Sequence, residues 1–202
     1  MKVELKSSCI ERFAPAAAKL RELVADENKT CILVAIDGKC ASGKSTMGYY
    51  LKNEFDANLF HMDDFFLQKH QRTAERLAEV GGNVDYERFE AEVLRPLLVG
   101  EPVEYRIFDC GKLEIVESKV IAPKRINIIE GSYSQHPYFG ERYDLKIFTE
   151  IRADKQLENI CKRNGEERLQ TFVERWIPKE EAYFEKFGIK EKSDVVVDWI
   201  RQ

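Results

Sequence analysis

At 202 residues the chain exceeds an average domain of about 150 by a modest margin, enough to bury one large core without disulfides or metals. Charged residues make up 34% and apolar ones 44%, with only 11 glycines and 6 prolines, which excludes a disordered or fibrous chain. The 32 basic and 36 acidic side chains leave a net charge of −4, which excludes a general binder of nucleic acid or membrane surfaces.

Residues 10–24 place Ile10, Phe13, Ala17, Leu20 and Val24 at three- and four-residue spacings, the stripe of an amphipathic helix ahead of the core. Cys31 to Ile36 is a β-rich apolar run of the kind a parallel strand buried on both faces shows. A glycine-bearing turn leads to a helix pattern from about Gly43 to Phe55, then a short strand from Asn58 to Met62. A long polar stretch precedes a helix from Asp85 to Leu98, which Pro96 is expected to kink near its end. Val103 to Phe108 and Leu113 to Val120 predict a hairpin, turning at Gly111 outside the main sheet. Arg125 to Ile129 and Leu145 to Ile151 are two more core strands, Ala153 to Arg163 and Leu169 to Phe187 two helices, and Asp194 to Asp198 a last Val-rich strand. Strands alternating with helices indicate an α/β fold, a mostly parallel sheet with helices on both sides.

Gly38-Lys39-Cys40-Ala41-Ser42-Gly43-Lys44-Ser45 matches G-x-x-x-x-G-K-[ST] at every fixed position, between a predicted strand and a predicted helix. The glycines let the backbone turn its N–H groups inward as a nest for phosphate oxygens at a helix N-terminus. Lys44 would place a charge on the β- and γ-phosphates, and the Ser45 hydroxyl could ligate Mg²⁺. Such a loop names a nucleotide and not a reaction. No N-K-x-D segment of the guanine-reading kind is present. Beyond the second strand, Asp63 and Asp64 should face the same crevice, because the carboxyl ends of neighbouring parallel strands open together. A carboxylate there can orient and deprotonate an alcohol. Glu130 ends the strand from Arg125 and reads as the carboxylate that would hold Mg²⁺ directly or through water.

The longest apolar run spans only Cys31 to Ile36, far short of the roughly 20 residues a membrane span needs, and Met1 to Phe13 carries Glu4 and Glu11 without an apolar h-region. Cys9, Cys31, Cys40, Cys110 and Cys161 are an odd set without a C-x-x-C pair, which reads as reduced thiols in a cytoplasmic protein. His61 reads as a strand residue, and His70 and His136 as structural. Phe172, Trp176, Tyr183, Phe184 and Phe187 have the helical spacing of core packing.

From about residue 31 to 198 the sequence resembles the uridine kinase family of P-loop kinases, relatives of nicotinamide riboside kinases and phosphoribulokinases. The resemblance is carried by the phosphate loop with Ile36-Asp37, Met62-Asp-Asp-Phe-Phe66, Gly82-Asn-Val-Asp85, Ile107-Phe-Asp109, Ile128-Ile-Glu130-Gly131, Asp144 to Phe148, and Lys162-Arg163-Asn164 in that order. It implies a P-loop NTPase three-layer α/β/α fold with a hairpin insertion and a helical lid. It implies one kinase domain over 1–202, comprising an N-terminal helical extension (1–30), the hairpin (101–121), and the lid with its following helix (152–187).

It further implies ATP and Mg²⁺ as cofactors. Gly38 to Ser45, Thr46 and Arg168 would bind ATP, and Asp63, Lys44 and Arg163 would be catalytic. Asp63, Asp64, Asp85, Phe108, Asp109 and Tyr133 would line the acceptor, with Asp85 on the sugar hydroxyls. Arg163, Arg168 and Arg175 fall in the lid region, where guanidinium groups could close over a triphosphate, Arg163 foremost. Phe108-Asp109 stands where the family has Tyr-Asp, Cys110-Gly-Lys-Leu113 lacks the family's base-reading histidine, and Asn159-Ile160 replaces a common arginine pair. The expected activity is ATP-dependent phosphorylation of a hydroxyl on a nucleoside-like acceptor. The alternatives are a different sugar, polyol or vitamin riboside, or an NTPase that hydrolyses or senses nucleotide. A nucleotide-free structural protein on the same scaffold is a weaker third. The partner is a small molecule, with no nucleic acid and no membrane, and a homo-oligomer stays open by analogy alone.

Overall fold

The computed structural model of the protein describes residues 7–198. Residues 1–6, which belong to the expected extension and to the segment without an h-region, lie outside the described residues, as do 199–202.

Five parallel strands, β1 (Ile32–Gly38), β2 (Asn58–His61), β5 (Ile126–Glu130), β6 (Leu145–Glu150) and β7 (Val195–Asp198), lie in the order β2-β5-β1-β6-β7. Successive side chains of a strand point to opposite faces, and β1 shows the result. Ile32, Val34 and Ile36 meet Phe13 and Leu20 of α1 (Ser7–Ala25) and Met47 and Leu51 of α2 (Lys44–Phe55). Leu33 and Ala35 face the other way, into Phe60, Phe65, Phe89, Phe148 and Tyr183. Because β1 is buried at all seven positions, its sequence is a continuous apolar run instead of an alternation. The result is the three-layer α/β/α sandwich expected.

The second layer is built by a short helix α3 (Ala74–Ala78), a long helix α4 over residues 86–99 and the helices α5 (Ala153–Asn164) and α6 (residues 166–187). The antiparallel hairpin of β3 (Val103–Asp109) and β4 (Glu114–Ile121) forms its own two-stranded sheet. α4 and α6 each widen into one π-helical stretch, Glu90–Leu94 and Phe172–Trp176, ending two residues before Pro96 and Pro178. The wider turn absorbs the missing N–H and the ring clash of a proline inside a helix. Pro96 therefore alters the middle of α4, not its last turn. Among the described residues, no helix is long and apolar enough to cross a membrane, and all five cysteines are free.

His136 lies between the rings of Tyr86 (centroids 4.7 Å apart) and Tyr183 (6.1 Å) and accepts the Tyr138 N–H at Nδ1. Burial, with Arg76 nearby, lowers its pKa from 6.5 to about 4. The unfolded chain therefore binds more protons between those values, so stability is retained above about 6.5 and lost as the pH falls towards 4. Linkage puts the loss at pH 5 near 2 kcal/mol. Urea unfolding of the parent and of His136→Gln at pH 7 and pH 5 should show the gap between them narrowing by about that amount. An unchanged gap would remove His136 as the source.

Candidate active site

The phosphate loop leaves β1 at its carboxyl end and enters α2. Gly38 has φ 136°, Ala41 φ 60° and Gly43 φ 89°, and the left-handed turns aim successive N–H groups at one concavity. The Lys44 ammonium folds over this loop, donating to the carbonyls of Gly38 (2.7 Å) and Lys39 (2.9 Å). Ser42 Oγ and Thr149 Oγ1 hydrogen-bond at 2.5 Å. The Ser45 side chain is exposed, and Thr46 is half-buried behind it.

Helices α5 and α6 both tie down the loop. From α5, Gln156 Nε2 donates to the Cys40 carbonyl (3.1 Å) and Asn159 Nδ2 to that of Ala41 (3.2 Å). From α6, the buried Glu180 carboxylate accepts the Cys40 N–H (2.8 Å) and the Ser132 hydroxyl (2.6 Å). Lys39 pairs with Glu150 (2.8 Å) and Glu181 (3.4 Å). Asn159 thus has a local partner where the family's pattern has arginine. Glu180→Gln keeps the shape but leaves one acceptor oxygen for two buried donors, at an expected cost of about 1–3 kcal/mol. Thermal unfolding with and without nucleotide should show a lower Tm and weaker stabilisation by nucleotide. If ligand stabilisation matches the parent, Glu180 does not shape the loop.

Behind the loop, fully buried Asp37 accepts the N–H groups of Gly38 (2.7 Å), Gln135 (3.0 Å) and Tyr133 (3.2 Å) and the Tyr183 hydroxyl (2.9 Å). Burial still raises its pKa to about 6. These bonds hold residues 131–136, including Tyr133 at φ 74°, against the floor of the loop.

The carboxylates stand across the crevice. Asp63 follows β2 on the turn Met62–Phe65, and in-register pairing of His61 with Glu130 brings the ends of β2 and β5 level. His61 Nδ1 lies 2.5 Å from Glu130 Oε1. Burial opposes the His61 charge, but the Glu130 hydrogen bond, Asp64 and Asp63 raise its pKa overall. Asp63 is exposed on this turn. Desolvation by the surrounding walls and the charge of Glu130 raise its pKa against the pull of Lys44, His61 and Arg163. Lys44, Glu130, His61 and Arg163 are therefore each within electrostatic reach of Asp63. The Asp63 and Glu130 carboxylates and the exposed Ser45 hydroxyl are a hard-oxygen, anionic set that suits Mg²⁺, which keeps most of its waters. Among the described residues there is no cage of three His, Cys, Asp or Glu side chains, so such an ion would rest on Ser45, Glu130, water and phosphate oxygens.

Other expected residues stand apart from this open centre. Asp85 is 3% exposed, caps α4 through the Arg88 N–H (3.1 Å), accepts from Gln71 Nε2 (2.8 Å) and pairs with Arg88 Nε (3.4 Å). Its oxygens are occupied by its own chain. Asp64 is half-buried and bonded to the Tyr105 hydroxyl, and burial raises its pKa. Phe108 is buried in the hairpin, and Tyr133 packs on Tyr183 at 4.8 Å. Asp109 closes the hairpin turn on the N–H groups of Gly111 (2.7 Å) and Lys112 (2.9 Å). The tip brings Cys110 towards the aspartates, where crowding, Asp63, Asp109 and Asp64 push its thiol up to about 11. Arg163, Arg168 and Arg175 are all exposed, and Arg175 also lies over the Trp176 ring at 4.6 Å and lines a cavity beside residues 77–83. His61, Gln156 and Glu180 belong to the site though the sequence reading gave them no part in it. Only Glu180 carries a signal, a carboxylate on the same helical stripe as Tyr183, Phe184 and Phe187.

No family model matches the chain. A uridine kinase of Haemophilus ducreyi is 33% identical over 142 residues, covering 63% of this chain and 64% of that protein. The aligned part is thus a little under two thirds of the relative's length. Among solved structures, a possible uridine kinase from Bacillus stearothermophilus superposes with a TM-score of 0.71 at 18% identity, covering 95% of this chain and all of the other. A candidate fructose transport system kinase from Silicibacter sp. TM1040 gives 0.68 at 19% identity, covering 91% of this chain and 98% of the other. At those identities the superpositions speak for the fold. The chain is thus similar in sequence to a uridine kinase over the aligned part and shares its fold with these kinase structures.

Proposed function

We propose that the chain is an ATP- and Mg²⁺-dependent kinase that transfers the γ-phosphoryl group to a hydroxyl of a small acceptor. The observation that carries this reading is the Asp63 carboxylate, exposed after β2 and within electrostatic reach of Lys44 in the phosphate loop and of Arg163. A nucleotide sensor has no use for a proton acceptor there. In the reaction, the acceptor oxygen bonds to the γ-phosphorus as the bond to the β–γ bridging oxygen breaks, and the hydroxyl proton passes to Asp63. Its raised pKa improves it as a base. The N–H groups of residues 38–45 and the Lys44 ammonium hold the triphosphate, and Arg163 spreads charge that grows in the transition state. Bound at Ser45 and Glu130, Mg²⁺ would neutralise phosphate charge. The lid bonds from Gln156, Asn159 and Glu180 keep the loop shaped for this, and closure excludes water that would otherwise accept the phosphoryl group.

A ribose hydroxyl is the acceptor type the resemblance brings with it, and the relative's name puts uridine first in any panel. The test is ADP release from ATP over a panel of nucleosides, vitamin ribosides, sugars and sugar acids. Stimulation by at least one acceptor well above the water background is expected. Steady release that no acceptor increases would turn the reading to a plain NTPase.

A further inference from the structure

The strand β4 is the open edge of the hairpin. Its inner neighbour β3 packs on the turn Met62–Phe65 and on α4, burying Val103 and Tyr105. At Arg106 of β3 the backbone N–H donates to Glu92 (3.0 Å) and the carbonyl accepts from Arg88 (2.7 Å), both on α4. These groups point away from β4, which makes Arg106 and its partner Ser118 a pair without mutual hydrogen bonds. The Ser118 N–H and C=O therefore point outward, to an edge where no described group bonds them. Glu117, Ser118, Lys119 and Val120 are all exposed, and because successive residues face opposite ways, the strand stands clear of the domain on both faces.

The side chains along this edge are complementary to themselves. Among the described residues, the hairpin and the segment after it make ion pairs only at Arg106–Glu92 (2.5 Å) and Lys124–Asp56, so Glu117 and Lys119 stand without one. Opposite residues of an antiparallel pair share a face, so two copies of β4 related by a two-fold axis must be centred on a residue and not between two. Centring on Glu117 sets two glutamates against each other, and centring on Lys119 two lysines. Centring on Val116 sets Ile115 against Glu117, and centring on Val120 sets Ile121 against Lys119. Centring on Ser118 instead places Glu117 of each copy opposite Lys119 of the other, Val116 opposite Val120, and Ile115 opposite Ile121. The outward N–H and C=O of Ser118 would then bond those of its mate on the axis, and the two charge pairs fall on the intervening sites, where side chains approach more closely. Val116 and Val120, 45% and 68% exposed, would cover one another. The extra residue that interrupts the hairpin register opposite Ile107 and Phe108 is Val116, at the margin of this pairing and not at its centre. A lysine on an edge strand ordinarily deters pairing, and in this register alone it meets a carboxylate.

We propose that the outer edge of the hairpin is a docking surface for a second copy of this chain, pairing antiparallel about Ser118 into a four-stranded sheet of order β3-β4-β4-β3. The pairing needs nothing from the phosphate loop or Asp63, so its failure would leave the kinase reading untouched.

Sedimentation velocity of the full chain, from about 1 to 300 µM at about 50 mM salt, should show a concentration-dependent species of two chains, weak enough to dissociate at the lower end because one strand pair buries little surface. Glu117→Lys and Lys119→Glu should each raise the dissociation constant about 10- to 100-fold, since each turns both charge pairs into like-charge pairs. Mixing the two variants in equal amounts should restore association to about the parent's strength, because both edge charges of one variant then meet opposite charges on the other. Glu117→Lys together with Lys119→Glu in one chain should do the same. Such recovery also shows that the single variants are folded. A parent that stays monomeric over the whole range overturns the proposal. So do single variants that associate like the parent, which would place the interface elsewhere, and single variants whose loss neither mixing nor the double change repairs.

Discussion

Asp63→Asn is expected to lower turnover by about 10²–10⁴-fold while nucleotide affinity stays within about twofold. Asparagine keeps the size of the side chain and one acceptor oxygen, so the turn Met62–Phe65 and its packing should survive. What it loses is the ability to take a proton from the acceptor hydroxyl. The environment makes that loss large: desolvation and Glu130 raise the pKa of Asp63, while Lys44, His61 and Arg163 keep the ionised form accessible. The sign of the pH dependence follows. Activity should be full where Asp63 is ionised and fall on acidification through a limb set above the ordinary carboxylate range, and that limb should vanish in the variant. Single-turnover rates beside calorimetric nucleotide affinities separate chemistry from binding. Asp64→Asn is the informative neighbour, since Asp64 already serves Tyr105 and should cost stability before turnover. Parent-like turnover in Asp63→Asn would rule out Asp63 as the base.

The architecture was legible because the core has two faces with simple periods. The unbroken run at Cys31 to Ile36 could only be a strand covered on both sides, and the stripe from Phe13 to Val24 covers one of them, while Ile10, expected at its start, stays exposed. The hairpin was equally plain, because alternating residues flank a glycine turn and its outer strand stays exposed. What the sequence hid are contacts between residues far apart in the chain. Gln156 and Asn159 look like the polar face of a surface helix, yet both donate to the phosphate loop more than 100 residues earlier. Asp37 reads as the last residue of a strand, and only the fold reveals four donors converging on it. Asp85 shows the reverse: a family pattern suggests a sugar ligand, while local chemistry gives it a capping position and a buried arginine.

Gly38→Ala is expected to be strongly damaging for the addition of a single methyl group. A Cβ at Gly38 would lie 2.3 Å from the Thr149 carbonyl oxygen, 2.5 Å from its Oγ1 and 2.6 Å from its N. These atoms cannot step aside, because Gly38 and Thr149 are register partners of β1 and β6, and the same carbonyl accepts the Lys39 N–H. The φ of 136° adds conformational strain for any residue with a side chain. Strain of about 1–3 kcal/mol and overpacking of about 1–3 kcal/mol together reach a large part of a domain's usual margin of 5–15 kcal/mol. At about 2–4 °C per kcal/mol for a chain of this size, a drop in Tm of around 10 °C follows. Gly140→Ala isolates the backbone share, since its φ of 61° is also left-handed but nothing lies within 4 Å of the added carbon. It should lower Tm by only a few degrees, about 1 kcal/mol. The same displacement should open the nest: moving β1 away from β6 breaks the Ser42 to Thr149 hydroxyl pair and withdraws the carbonyls that hold Lys44. Gly38→Ala protein kept folded at low temperature should therefore bind ATP at least about tenfold more weakly, the equivalent of one lost charge-assisted hydrogen bond. Equal Tm values for the two alanine variants, with parent-like ATP affinity, would mean that the sheet yields at Thr149 and that the close approach of these two strands does not shape the phosphate site.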